Sequence, residues 1–187
     1  MSAQNTAQEL IKRLDAAVDH AECRTLCRAV KDALQELCAT GEEFIPADFL
    51  RTAPNRYARR LLHADPKGRY TVLVMVWDKG QGTALHDHAG MWCVECVYRG
   101  QIEVVSYDRV DDGSSDLYQF KPELKVYAGV GEAGALIPPF EYHTIANALD
   151  TPAVTIHVYG GEMTWCHAFV PVEGGYQRER RELCYSE

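Results

Sequence analysis

From Tyr57 onward the hydrophobic period of the chain drops to two and stays there through a series of short segments parted by turn residues. Side chains alternate across a strand, so this pattern marks half-buried strands and not helices. Tyr57 to His63 and Arg69 to Trp77 read as a hairpin closed by Ala64-Asp65-Pro66-Lys67-Gly68. Further strands are expected over Met91 to Arg99, Ile102 to Tyr107, Ser115 to Phe120, Leu124 to Tyr127, Ala135 to Pro138, Ala153 to Tyr159 and Trp165 to Val170. Many short strands with few helices between them predict an antiparallel sandwich or barrel, a mainly β fold.

Before Tyr57 the period is helical. Leu10, Leu14 and Val18 recur every four residues, and Leu26, Val30, Leu34 and Leu37 continue the stripe until Thr40-Gly41 ends it. Ile45 to Asp48 is expected to open another short helix. An apolar stripe of this kind suits a structural cover over an apolar sheet. The 187 residues suit one domain: a helical N-terminal cover over 1–56, a β-barrel over 57–170 and a C-terminal tail over 171–187. The mixed Arg/Glu run of the tail is expected to be a solvated end.

The formal charge of −8 argues against a general nucleic-acid binder, which needs a basic face. The longest apolar run, Val72 to Trp77, is strand-sized, so no membrane span is expected. No secretion signal is visible, and seven loosely spaced cysteines do not make a disulfide framework, so a cytoplasmic location is expected. Cys93-x-x-Cys96 has no second pair to complete a zinc site.

His86-Asp87-His88 is the first feature with specific chemistry. Two imidazoles two residues apart on an extended segment point the same way and can grip one ion. Neutral imidazole suits iron, zinc, copper or nickel.

Gly80 precedes His86 by six positions, and Gly100 closes the following hairpin. This resembles the first motif of the cupin superfamily, with one departure: Cys93 stands where that motif has a glutamate. Pro138-Pro139-Phe140-Glu141-Tyr142-His143, followed by Asn147, resembles the second motif, with Phe140 in place of the usual glycine. The resemblance implies a cupin jelly-roll β-barrel in which His86, His88 and His143 face one metal. Without the glutamate, three neutral histidines would leave the charge of a divalent ion uncompensated, which favours an anionic ligand from the substrate, such as a thiolate.

Cys93 in that place, with Tyr57-Ala58-Arg59, Thr155-Ile156-His157-Val158-Tyr159 and Cys166-His167-Ala168-Phe169, is similar to cysteine dioxygenase, the thiol dioxygenase branch of the cupins. The arginine position resembles bacterial-type members that bind substrate through it. The resemblance implies Fe(II) on His86, His88 and His143, a substrate carboxylate on Arg59 with Tyr57 beside it, and His157 orienting the catalytic Tyr159 hydroxyl. Thr155 and Cys166 would stand behind these groups. Arg is the right type for a carboxylate, since it presents a planar fork of donors. Arg60 falls on the opposite strand face and reads as a surface charge, unless the register is shifted by one. Cys93 and Tyr159 correspond to the pair that animal members join by a thioether cross-link, which is expected to form here in part. Gly160-Gly161 replaces the Ser-Pro-Pro turn of those members and is expected to be looser.

The activity implied is oxidation of L-cysteine by O2 to cysteine sulfinic acid, with a small thiol and O2 as partners and neither nucleic acid nor membrane involved. The alternatives are a dioxygenase of 3-mercaptopropionate or another small thiol acid, whose relatives carry glutamine at the arginine position, and a cupin that binds a metal or metabolite without catalysis. A cupin isomerase or decarboxylase is disfavoured by Cys93 in the glutamate place.

Overall fold

The computed structural model describes residues 3–187, with side chains from residue 7 onward. Two helices, α1 (Ala3–Ala17) and α2 (Cys23–Ala39), precede eleven strands. The break between them is set at Glu22, whose carboxylate accepts from the Arg24 and Thr25 amides and caps α2. The segment after Ile45 forms a single 3₁₀ turn, Ala47–Leu50.

The strands are β1 (Ala58–Ala64), β2 (Thr71–Trp77), β3 (Leu85–His86), β4 (Cys93–Arg99), β5 (Ile102–Arg109), β6 (Phe120–Ala128), β7 (Ala133–Leu136), β8 (His143–Asn147), β9 (Ala153–Tyr159), β10 (Trp165–Val172) and β11 (Gly175–Glu182). They form a five-stranded sheet in the order β1-β2-β9-β4-β7 and a six-stranded sheet in the order β11-β10-β3-β8-β5-β6. Together these make a mainly β jelly-roll barrel with two helices at its N-terminal end.

Alternation along β2 and β9 explains how the layers stack. Val72, Val74, Val76, Val154, Ile156 and Val158 share one core with Leu10, Leu14, Val30, Leu34 and Leu37, so the helices pack on the outer face of the first sheet. Leu73, Met75, Trp77 and Tyr159 point the other way, into a second core inside the barrel. A sheet buried on both faces accounts for the unbroken apolar reading of Thr71–Trp77.

Several expectations are corrected. The C-terminal tail is not a loose solvated end, because Gly175–Glu182 pairs along the whole of β10 as an edge strand. Its charged side chains stay in water, which is how natural edges resist further pairing. No strand covers Ser115 to Gln119: only Tyr118 makes an isolated bridge, and one strand runs unbroken from Phe120 through Leu124 to Ala128. The Gly160-Gly161 turn is hydrogen-bonded at both glycines. Gly160 donates to the Trp92 carbonyl, the Gly161 carbonyl accepts from Thr71, and a Cβ on Gly160 would run into the Trp92 indole. Among the described residues no helix is long and apolar enough to cross a membrane.

Candidate metal centre and substrate cavity

Strand pairing assembles the three histidines. His86 on β3 lies directly opposite His143 on β8, and His88 follows two residues on. Their ligating atoms lie within 4.8 Å of one another. His86 Nδ1 sits 3.0 Å from the Ala84 carbonyl and His143 Nδ1 3.1 Å from the Glu141 carbonyl. A carbonyl only accepts, so these partners assign the ring hydrogen to Nδ1 and leave each Nε2 with a bare lone pair. His143 Nε2 is buried without a partner. Burial pushes His86 down to about 3 and His143 to about 4, and lowers His88 well below its ordinary value, so all three rings are neutral near pH 7. Neutral imidazoles clustered this closely, two of them buried, fit a divalent metal ion.

Asp87, between the two histidines, faces away from the cluster and fixes it from behind. Its carboxylate accepts from the His167 backbone amide at 2.9 Å and meets His167 Nδ1 at 2.8 Å, tying the β3 turn to β10. Sequence reading assigned no role to either residue. The signal was present, since alternation places the middle residue of His-x-His on the opposite face.

A cavity of about 130 Å³ opens onto the triad, lined among others by Tyr57, Arg59, Trp77, Tyr159, Met163 and Cys166. Arg59 is buried, and among the described residues no carboxylate lies within salt-bridge distance of it. One Nη donates to the Met163 carbonyl at 2.7 Å, the guanidinium lies 5.0 Å from the centre of the Tyr185 ring, and Nε has no partner. Tyr57, one residue ahead of β1, stacks on Trp77 with ring centroids 4.5 Å apart. Arg60 faces out of this cavity. It is not the exposed charge expected of it, however: it is buried, donating to the carbonyls of Phe49, Arg51 and Glu187. Arg181 and Leu183 also line the cavity, brought there by the β11 pairing that the sequence pattern did not reveal.

The inward row of β9 forms a hydrogen-bonded chain. Trp77 Nε1 donates to Thr155 Oγ1 at 2.9 Å, and Thr155 Oγ1 lies 2.7 Å from His157 Nε2. The indole is an obligate donor to that hydroxyl, which keeps a hydrogen and a lone pair for Nε2, while the other ring nitrogen, Nδ1, faces Tyr159. That nitrogen is 3.4 Å from the Tyr159 hydroxyl. Cys93 lies directly opposite Tyr159 in the β4–β9 register. Burial raises both well above their ordinary values, so thiol and phenol are neutral. Cys166 is buried at the cavity wall, where desolvation pushes it up to about 11.

Glu95 is the residue the sequence reading passed over. It is buried inside the barrel, one inward position along β4 from Cys93 and opposite His157. Desolvation raises it to about 7. The signal that could have found it is the i, i+2 step from Cys93.

The rat cysteine dioxygenase type 1 is 26% identical over 115 residues, covering 61% of this chain and 56% of the rat protein. The zebrafish (Danio rerio) protein of the same name is 24% identical over 128 residues, covering 66% and 62%. The chain thus spans little more than half the length of the curated relatives it matches. The crystal structure of a Thermus thermophilus protein, TT1209, superposes with a TM-score of 0.48 at 18% identity, over 61% of this chain and 91% of that one. The profile of the family described as cysteine dioxygenase type I matches residues 6–171, a span that holds the three histidines, Arg59, Cys93, His157 and Tyr159. On that coverage, the chain belongs to the cysteine dioxygenase type I family.

Proposed function

We propose that this chain is an iron(II)-dependent thiol dioxygenase that oxidises L-cysteine with O2 to cysteine sulfinic acid. The observation that carries the reading is Arg59: a buried cation without a counter-ion, facing the same small cavity as the three histidines. A buried charge without a partner is costly, so the site is incomplete until an anion enters. A cavity of about 130 Å³ restricts that anion to a small acid.

In this reading His86, His88 and His143 hold iron(II), which when bound supplies coordination for the thiolate and the reactivity toward O2. The chain's own residues position the rest. The Arg59 fork takes the substrate carboxylate, and Tyr57, fixed against Trp77, closes the cavity beside it. Holding the carboxylate and the sulfur at two fixed points removes rotational freedom before reaction. The Trp77–Thr155–His157 chain keeps the Tyr159 hydroxyl turned toward the histidine cluster, 5.9 Å between the rings of Tyr159 and His88. The balance is one thiol and one O2 giving one sulfinic acid, with both oxygen atoms on sulfur. The register of Cys93 and Tyr159 supports a thioether between them, formed with loss of two hydrogens to O2 during turnover. The seven free cysteines fit a reducing cytoplasm.

Oxygen consumption by the iron-loaded protein tests this against cysteine, cysteamine, 3-mercaptopropionate and homocysteine. The expected result is thiol-dependent uptake, fastest with cysteine, with the sulfinate as product. Preference for 3-mercaptopropionate would replace the substrate while keeping the reaction. No uptake with any thiol would overturn the dioxygenase reading in favour of a binding cupin.

A further inference from the structure

Two thiols outside the cavity lie against each other where the helical layer meets the sheet. Cys38, the penultimate residue of α2, and Cys96 on β4 have their sulfurs 3.8 Å apart, a contact between residues 58 positions apart in the chain. Cys96 belongs to the core shared with the helices, on the face of β4 away from the histidine cluster, and Cys38 packs against that core from the helix side. Cys96 is buried and Cys38 half-buried, so a reagent arriving from solvent meets Cys38 first. The contact with Cys96 also holds the Cys38 thiol below its ordinary value, which favours the nucleophilic thiolate.

We propose that Cys38 and Cys96 form a modification site, a dithiol that small disulfides oxidise to an internal disulfide bond. The Cys38 thiolate attacks one sulfur of a small disulfide RSSR and expels RS⁻, leaving a mixed disulfide on Cys38. Cys96 then gives up its proton and attacks the Cys38 sulfur, expelling the second RS⁻. The two leaving thiolates take up the two protons, so one RSSR is reduced to two RSH while the protein dithiol loses two electrons and two hydrogens. The sulfurs must close from 3.8 Å to about 2 Å. Cys38 stands one residue from the end of α2, where the last turn yields without loss of the helix. The bond ties α2 to β4 at a position opposite Ile156, the residue before His157 on β9. In a reducing compartment such a bond is transient, which makes the pair a reversible site and not a structural staple.

The test uses the full chain, reduced, freed of metal and held under nitrogen with oxidised glutathione, conditions in which the Cys93–Tyr159 thioether does not form. Samples are alkylated over time and their peptides mapped by mass spectrometry without reduction. The expected product is Cys38 joined to Cys96, short by two hydrogens and returned to the starting mass by dithiothreitol, which leaves a thioether intact. It should form at least roughly tenfold faster than any other cysteine pairing. Cys96→Ser should stop at a glutathione adduct on Cys38, and Cys38→Ser should gain neither that adduct nor the bond. Three results in the wild type each overturn the proposal: Cys38 and Cys96 both staying alkylatable, an adduct accumulating on Cys38 without closing the bond, or another pair such as Cys23 and Cys27 linking first. The wild-type map decides the matter without either variant, so a variant that fails to fold does not rescue the proposal.

Discussion

Arg59 and Arg60 are adjacent arginines with similar burial and different surroundings. Arg60 spends its donors on three backbone carbonyls, whereas Arg59 Nε is left without a partner inside the cavity. The difference gives a sharp prediction. Arg59→Gln should lower kcat/KM for cysteine by at least tenfold, since loss of one partner from a buried charge pair costs about 2 kcal/mol or more. Cysteamine lacks the carboxylate, so its turnover should hardly change. Equal losses for the two thiols would show that Arg59 does not read the carboxylate. Cys93 and Tyr159 give a second prediction at this scale. After incubation with iron, cysteine and O2, intact-mass spectrometry should find a species lighter by two hydrogens, absent from Cys93→Ser and Tyr159→Phe. A wild-type spectrum without it would exclude the cross-link.

The β1–β2 hairpin shows how an element is pinned by its turn. The Asp65 carboxylate accepts from Arg69 Nε at 2.8 Å and from the Arg69 amide at 2.9 Å, and Arg69 reaches on to Asp15 and Asp19 beside α1. The Arg69 side chain holds the Asp65 carboxyl well below the usual carboxylate range. A group whose pKa is lower folded than unfolded stabilises the fold fully above its unfolded value, about 3.9, and loses that contribution as pH falls toward the folded value. Asp65→Asn should therefore lower the urea midpoint by a constant amount above about pH 5, and the gap to wild type should close below about pH 4. A gap independent of pH down to pH 3 would show that the ion pair contributes nothing. The hairpin itself was legible, because Pro66, Gly68 and the alternation around them act locally. The direction of His86 and His88 was legible for the same reason, as spacing on a strand fixes it, whereas His143 was reached only through a resemblance in motif. β11 was hidden because an edge strand of charged residues carries no hydrophobic period, and its pairing is supplied by the backbone of β10. Glu95 was hidden because β4 is apolar on both faces, so alternation no longer distinguishes inside from outside.

At the scale of the whole molecule, the helices and the barrel share one sheet as their common wall. Val154, Ile156 and Val158 touch the helical layer, while His157 and Tyr159 on the same strand face the site, with Thr155 bonded to His157 behind them. Unfolding the helices would expose the outer face of β2, β4 and β9, so the two layers should lose structure together. Leu34 on α2 tests this, since it is fully buried in the shared core and belongs to an element distant from the cavity. Leu34→Ala removes three carbons from a packed site and should cost about 2–5 kcal/mol. If the layers are one cooperative unit, the helical far-UV signal and the tryptophan fluorescence, which includes Trp77 inside the barrel, should shift to lower urea by the same amount and remain superimposed. Metal affinity measured below the transition should stay at the wild-type value, because the space opens on the helical side of the sheet. Separation of the two unfolding curves would show instead that the helices melt from a barrel able to stand alone.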